Sequence, residues 1–179
     1  MYDTPHSVVI VDDHNLILQG LVSMMEGIKN YQVTATFTLG FELLEFLETN
    51  PVDIVLLDIS LPDISGIDLC LEVKRINPNA IILGLSNHTE RSVILQLLQN
   101  GASGYLLKNI NTDELRECLD KAVSKQMVFS GAVQQIIANP IHTDLPLLPK
   151  LTKREAEMNI SKNAYLISIS VCNGLKDKY

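Results

Sequence analysis

The sequence contains no tryptophan and only three cysteines, Cys70, Cys118 and Cys172. They are far apart and odd in number, so they suggest neither a CxxC metal site nor a disulfide framework, and a reducing cytosol is the expected compartment. No apolar run approaches the roughly 20 residues that a membrane-spanning helix requires. The N-terminus, MYDTPHS, carries an acid and no basic cluster ahead of its apolar stretch, which argues against a signal peptide. Positive charge is scarce over most of the chain. Residues 1–149 hold eight Lys/Arg against 18 Asp/Glu, a net of −10, whereas residues 150–179 hold six against three, a net of +3. Nucleic-acid affinity rests on cationic side chains that displace counterions, so the acidic body is unsuited to a phosphate backbone and any DNA contact falls to the tail. On charge alone, the simpler reading of that tail is a solvated segment.

What the sequence does have is core. Of its 179 residues, 46% are hydrophobic and 20% charged, which excludes global disorder and allows one ordinary domain with a small appendage. Five short apolar runs recur, each followed by a segment with helical spacing. Val8–Val11 precedes Ile17, Leu21, Met24, Met25 and Ile28. The run 32–37 precedes Leu39, Leu43, Phe46 and Leu47, and Ile54–Leu57 precedes Ile67, Cys70 and Leu71. The run 80–85 precedes Val93, Ile94, Leu97 and Leu98. The fifth, 104–107, precedes Leu115, Cys118, Leu119 and Ala122, with Asn111 and Glu114 suited to capping that helix. Runs apolar at every position indicate strands buried on both faces. The spacing therefore predicts a doubly wound α/β domain around a five-stranded parallel sheet. Residues 127–139 read as one more short helix. The stretch NPIHTDLPLLPK, 139–150, has three prolines and reads as an extended linker. The expected domains are thus 1–125, a helix and linker over 126–150, and a separate piece over 151–179.

In such sheets functional groups gather at the carboxyl ends of the strands. Strand one ends in Asp12 and Asp13, strand three in Asp58 and strand four in Ser86, and strand five leads to Lys108. Three carboxylates brought together repel, so either their pKa values rise or a cation neutralises them. Hard oxygen ligands without His or Cys select Mg²⁺ or a similar ion. A carboxylate beside such an ion can attack phosphorus and form an aspartyl phosphate. Lys108 and Ser86 would then bind the phosphoryl oxygens. Taken singly, each residue has an ordinary reading: a turn-forming or capping Asp, a capping Ser, a solvated Lys, a packed Tyr105. The ordered combination carries the argument.

With VVIVDDH (8–14), DIVLLDISLPDISGIDL (53–69), ILGLS (82–86) and GYLLKN (104–109), residues 6–125 closely resemble the receiver domain of bacterial two-component response regulators. The resemblance implies a flavodoxin-like fold, a partner histidine kinase as phosphoryl donor, and Asp58 as phosphoacceptor. It implies Mg²⁺ held by Asp13, Asp58 and the backbone carbonyl of Ser60, with Asp12 acting on the metal or its water. Ser86 and Lys108 would hold the phosphoryl group, and Tyr105 matches an aromatic switch position that turns inward as Ser86 moves toward the phosphate. Pro62 and Gly66 match the loop after the acceptor. Asn109 departs from the proline that many receivers have there, and Ser60 stands where a larger apolar residue is usual. Asn87 and His88 replace the small residues common after the switch serine.

LTKREAE (151–157) resembles the start of a LuxR/NarL-type helix-turn-helix output domain, with Thr152 and Glu155 as a capping box. The remainder does not continue that pattern. YLISISVC (165–172) is uncharged and rich in β-branched residues, closer to a strand than to a recognition helix, and an aggregation hazard if exposed. The expectation is a truncated or frameshifted output, so DNA is a partner only if that domain is completed. The functional expectation is a cytoplasmic response regulator that controls transcription, not an enzyme, dimerising through residues 89–125. The alternative is a stand-alone receiver acting by dimerisation or by competition for kinase. A haloacid-dehalogenase-type phosphatase is disfavoured because Ser60 stands where its general acid would be. A flavodoxin-like binding module is disfavoured because Asp12-Asp13-His14 repels phosphate in the absence of metal.

Overall fold

A computed structural model of the chain describes residues 4–87 and 89–138. Strands and helices alternate: β1 (His6–Val11), α1 (Asn15–Glu26), β2 (Tyr31–Phe37), α2 (Gly40–Leu47), β3 (Ile54–Asp58), α3 (Gly66–Ile76), β4 (Ile81–Ser86), α4 (Arg91–Gln99), β5 (Gly104–Leu107), α5 (Thr112–Val123), β6 (Val128–Phe129) and α6 (Gly131–Ala138). The strands form one parallel sheet in the order β2-β1-β3-β4-β5-β6.

Strand periodicity builds two cores from the same runs. Val9, Val11, Val55, Leu57 and Ile82 face the side covered by α2, α3, α4 and α6. Val8, Ile10, Ile54, Leu56 and Leu83 face the side covered by α1 and α5. Because both faces are covered, Val8–Val11 of β1 and Ile54–Leu57 of β3 are apolar throughout, and an acid follows each run where the strand leaves the sheet, Asp12 after β1 and Asp58 at the end of β3.

The helices bury nearly the expected stripes. In α5, Leu115, Cys118, Leu119 and Ala122 are all buried, and the Asn111 side chain accepts from the Glu114 N–H at 3.0 Å as the cap. Glu114 does not close a reciprocal box in this structure: its carboxylate accepts from the Gly131 N–H. In α3 the stripe is displaced. Leu69, Cys70 and Val73 are buried, while Leu71 is 46% exposed.

The sheet has six strands where the sequence suggested five. The extra strand is only two residues long, too short to register as an apolar run. Val128 pairs with Gly104 and Phe129 with Tyr105. The pairing depends on glycine: a Cβ on Gly104 would strike the Val128 carbonyl and sit 2.9 Å from the Val128 Cβ. After this strand α6 follows, with Val133 fully buried and Ile136 and Ile137 packed on the core that holds Ile94, Leu97 and Tyr105. The helix expected over 127–139 is therefore a strand and a shorter helix. No helix among the described residues is long and apolar enough to cross a membrane. The linker over 139–150 and the segments 151–157 and 165–172 lie outside the described residues.

Candidate functional site: an acid cluster at the sheet's carboxyl edge

β1 has β2 on one side and β3 on the other, so consecutive connections diverge at its carboxyl end and open a crevice there. Asp12 leaves β1 with its N–H donated to the Phe37 carbonyl at 3.1 Å, and Asp58 is the last residue of β3. Both are buried, with exposures of 0% and 1%. Lys108 follows β5, where its N–H donates to the Ser86 carbonyl at 3.0 Å. Its ammonium reaches across the sheet edge to lie 2.7 Å from Asp12 Oδ2 and 2.9 Å from Asp58 Oδ2. The second Asp58 oxygen, Oδ1, accepts from the Ser60 N–H at 3.1 Å.

Burial pushes the Asp58 carboxyl above its ordinary pKa. Lys108 and the Ser60 N–H oppose that shift without cancelling it, and the Asp12 charge adds to it. For Lys108, burial alone would lower the pKa, but the Asp12 and Asp58 carboxylates reverse this and raise it. The ammonium is therefore held charged between two acids.

Asp13 completes the cluster on the more open side. The ligand atoms of Asp12, Asp13, His14 and Asp58 all lie within 4.8 Å of one another. His14 is the residue that sequence reasoning passed over when it treated the donor set as oxygen alone. Its Nδ1 lies 2.7 Å from Asp13 Oδ1 and 3.4 Å from Asp12 Oδ1, and its backbone N–H donates to Asp12 Oδ1 at 2.9 Å. The signal for it is the triplet Asp12-Asp13-His14, which places an imidazole directly beside the acid pair. Three carboxylates against one ammonium leave an excess of negative charge in a crevice whose Asp12 and Asp58 are buried and whose Asp13 side is open. That balance, with mostly hard oxygen donors, fits a divalent cation.

Ser86 ends β4 at 1% exposure, and Tyr105 in β5 is fully buried. The two side chains share a hydrogen bond. Burial raises the Tyr105 pKa, and the hydrogen bond with Ser86 opposes that shift without cancelling it. Gly84 makes room for Leu97, which a Cβ there would strike, and such a Cβ would meet the Tyr105 ring only at an ordinary 3.5 Å. Asp12, Asp13, Asp58 and Lys108 thus meet at the carboxyl edge of the sheet, where Ser86 ends the neighbouring β4 and shares its bond with Tyr105. Gly66 closes the loop after Asp58: its N–H donates to the Ile59 carbonyl at 3.0 Å, and a Cβ would collide with the Asp58 carbonyl.

Residues 8–120 match the response regulator receiver domain family. Response regulator UvrY of Escherichia coli (strain K12) is 30% identical over 155 residues, covering 86% of this chain and 71% of that protein. Among solved structures, a LuxR-family two-component response regulator from Aurantimonas sp. SI85-9A1 aligns with a TM-score of 0.71 and 26% identity, covering 75% of this chain and 96% of that one. The signal receiver domain of NarL from Mycobacterium tuberculosis aligns with a TM-score of 0.63 and 30% identity, covering 66% of this chain and 97% of that one. With the acids, hydroxyl and ammonium brought to one sheet edge and a family match over most of the folded chain, this protein belongs to the two-component response regulators, through its receiver domain.

Proposed function

We propose that Asp58 is the phosphoacceptor and that a histidine kinase is its donor. One observation carries the reading: a buried carboxylate held at Oδ1 by a backbone N–H and at Oδ2 by a buried ammonium, beside two further acids. An oxygen of Asp58 attacks the phosphorus of a phosphohistidine. The P–N bond breaks, its electron pair stays on the imidazole nitrogen, and that nitrogen takes a proton from solvent. Lys108 and Ser86 provide the donors that meet the phosphoryl oxygens as charge builds on them. Asp13, Asp58 and the Ser60 carbonyl would hold Mg²⁺, with Asp12 close by, and the bound ion would neutralise phosphoryl charge.

The acceptor works stoichiometrically. Ser60 offers no carboxyl two residues past Asp58 to protonate a leaving alcohol, so turnover of external phosphoesters is not part of this reading. Occupation of Asp58 draws Ser86 toward the phosphoryl group and alters its bond to Tyr105, which biases a two-state equilibrium. Transcriptional control is the proposed output, through residues 151–157 and whatever follows them in a complete output domain. Dimerisation over 89–125 would have to accommodate β6 and α6, which cover the free edge of β5.

Acetyl phosphate with Mg²⁺, followed by intact mass and sizing chromatography, tests the proposal. One added phosphoryl group that depends on Mg²⁺ and is absent from Asp58→Asn supports it. Unchanged mass in the wild type, or equal labelling of the variant, overturns it.

A further inference from the structure

Helix α2 begins without a cap of its own. Its N-cap position is Leu39, an apolar residue in extended conformation that makes no side-chain capping bond. The first N–H groups of a helix have no partner within it and need one elsewhere. Here the partner comes from 22 and 23 residues away. Asp63 Oδ1 accepts from the Gly40 N–H at 3.1 Å, and Asp63 Oδ2 accepts from the Phe41 N–H at 2.9 Å. Partial burial disfavours the charged carboxylate, yet the N–H groups of Phe41 and Gly40, with those of Asp63 itself and Ile64, outweigh it and hold the pKa below the ordinary value. Asp63 is therefore an ionised cap, placed where the helix dipole favours negative charge.

The contact continues beyond these two bonds. A Cβ on Gly40 would strike Ile64 and come within 2.8 Å of Leu69 and 3.4 Å of Leu61. The start of α2 packs closely on Leu69 of α3, and on Leu61 and Ile64 of the loop that joins β3 to α3. This is the loop that leaves Asp58. Its near end is fixed by the Ile59 N–H on the Leu85 carbonyl at 3.2 Å, and its far end by the Gly66 N–H on the Ile59 carbonyl at 3.0 Å. Between them sits Ser60, whose N–H holds Asp58 Oδ1.

We infer that Asp63 is a positioning residue for the metal and phosphoryl site: by clamping the 59–65 loop to the N-terminus of α2, it sets the placement of Ser60 and, through it, of the Asp58 carboxylate. The inference rests on the proposed role of Asp58 and Ser60 in holding a divalent ion. Its physical content is preorganisation. A loop fixed in advance loses little freedom when the ion arrives, whereas a loosened one must be ordered at that moment, at a cost in affinity. Residues behind the ligands of a metal site commonly act in this way, with effects of about tenfold or more.

The test is direct Mg²⁺ titration by calorimetry of the full chain, comparing wild type, Asp63→Asn and Asp63→Ala. Asn retains one oxygen acceptor and Ala retains none. The expected result is a dissociation constant weakened about tenfold in Asp63→Ala, with partial rescue in Asp63→Asn. Phosphorylation by acetyl phosphate should approach the wild-type rate once Mg²⁺ is saturating. Thermal melts report whether each variant is folded at the titration temperature, and if Asp63→Ala is not, Asp63→Asn alone decides. Unchanged Mg²⁺ affinity in a folded variant overturns the inference, as does a rate defect that saturating Mg²⁺ leaves in place. A wild-type chain that binds no Mg²⁺ would instead overturn the proposed metal site itself.

Discussion

Lys108 Nζ lies 2.9 Å from Oδ2 of Asp58, and both side chains are nearly sealed from solvent. One ammonium serves two buried acids at this point, so the Asp58 carboxylate is under-compensated. Burial accordingly raises the Asp58 pKa, with Asp12 adding to the shift and Lys108 and the Ser60 N–H offsetting only part of it. A carboxyl whose folded pKa exceeds its unfolded one stabilises the fold fully below the unfolded value, and that stabilisation is lost as pH rises through the folded value. At neutral pH the wild type therefore carries the cost of an ionised Asp58. Asp58→Asn has no proton to lose at this site and should be more stable there, by roughly 0.5–2 kcal/mol. The advantage should shrink as pH falls toward the ordinary carboxylate range. Urea denaturation at several pH values measures it, and an advantage that stays constant with pH would falsify the argument.

Gly66 has a different kind of importance. A Cβ at that position would collide with the Asp58 carbonyl and lie 2.6 Å from the Ile59 Cα, both of them backbone atoms that cannot swing aside. Gly66→Ala should therefore cost about 1–3 kcal/mol, as overpacking does, and should displace the loop that carries Ser60. Denaturant midpoints measure the stability term and Mg²⁺ titration the displacement. Wild-type values for both would mean that the loop is softer than its contacts indicate.

The acids at the ends of β1 and β3 were legible because each terminates a run that is apolar at every position, so the sequence itself marks where the strand leaves the sheet. Ser86 and Lys108 were legible by the same rule and by their order. β6 was not, because Val128 and Phe129 are too few to show a period and their strand character comes from the edge of β5. The α3 stripe was shifted because Leu71 shares helical spacing with Ile67, while the neighbour that selects the buried face, Gly40 of α2, is remote in the chain. The capping of α2 by Asp63 was invisible for the same reason: its partners are set by the fold and not by a local motif.

The β6–α6 extension should prove separable from the rest of the domain. Val133 is fully buried on the core that contains Ile94, Leu97 and Tyr105. Ser130 bridges the extension to β5, donating its N–H to the Tyr105 carbonyl and accepting the Leu107 N–H at its Oγ, each at 3.3 Å. Val133→Asp removes an apolar anchor whose burial is worth about 2 kcal/mol and replaces it with a charge that has to stay in water. Hydrogen exchange should accelerate over 131–138 and at the amides of Val128 and Ser130, while β1, β3 and β4 keep their protection. Uniform acceleration over all strands would show that the extension is instead part of one cooperative unit.

Tyr105→Phe isolates the bond between Tyr105 and Ser86. Tyr105 is fully buried, and its hydroxyl shares a hydrogen bond with that of Ser86. The same Ser86 hydroxyl is proposed to meet a phosphoryl oxygen, and moving toward it draws Ser86 away from the phenol. Tyr105 and the phosphoryl group therefore compete for Ser86. The ring of Phe fills nearly the same space, so the substitution deletes the competitor with little change in packing, at about 1 kcal/mol of stability for the lost bond. The released hydroxyl should make binding of a phosphoryl analogue about fivefold more favourable, the value of a net hydrogen bond of about 1 kcal/mol. Beryllofluoride titration in the presence of Mg²⁺ reads this affinity directly. Weaker binding in Tyr105→Phe would mean that the phenol oxygen assists Ser86 instead of competing with it, and that the inward ring belongs to the phosphorylated arrangement.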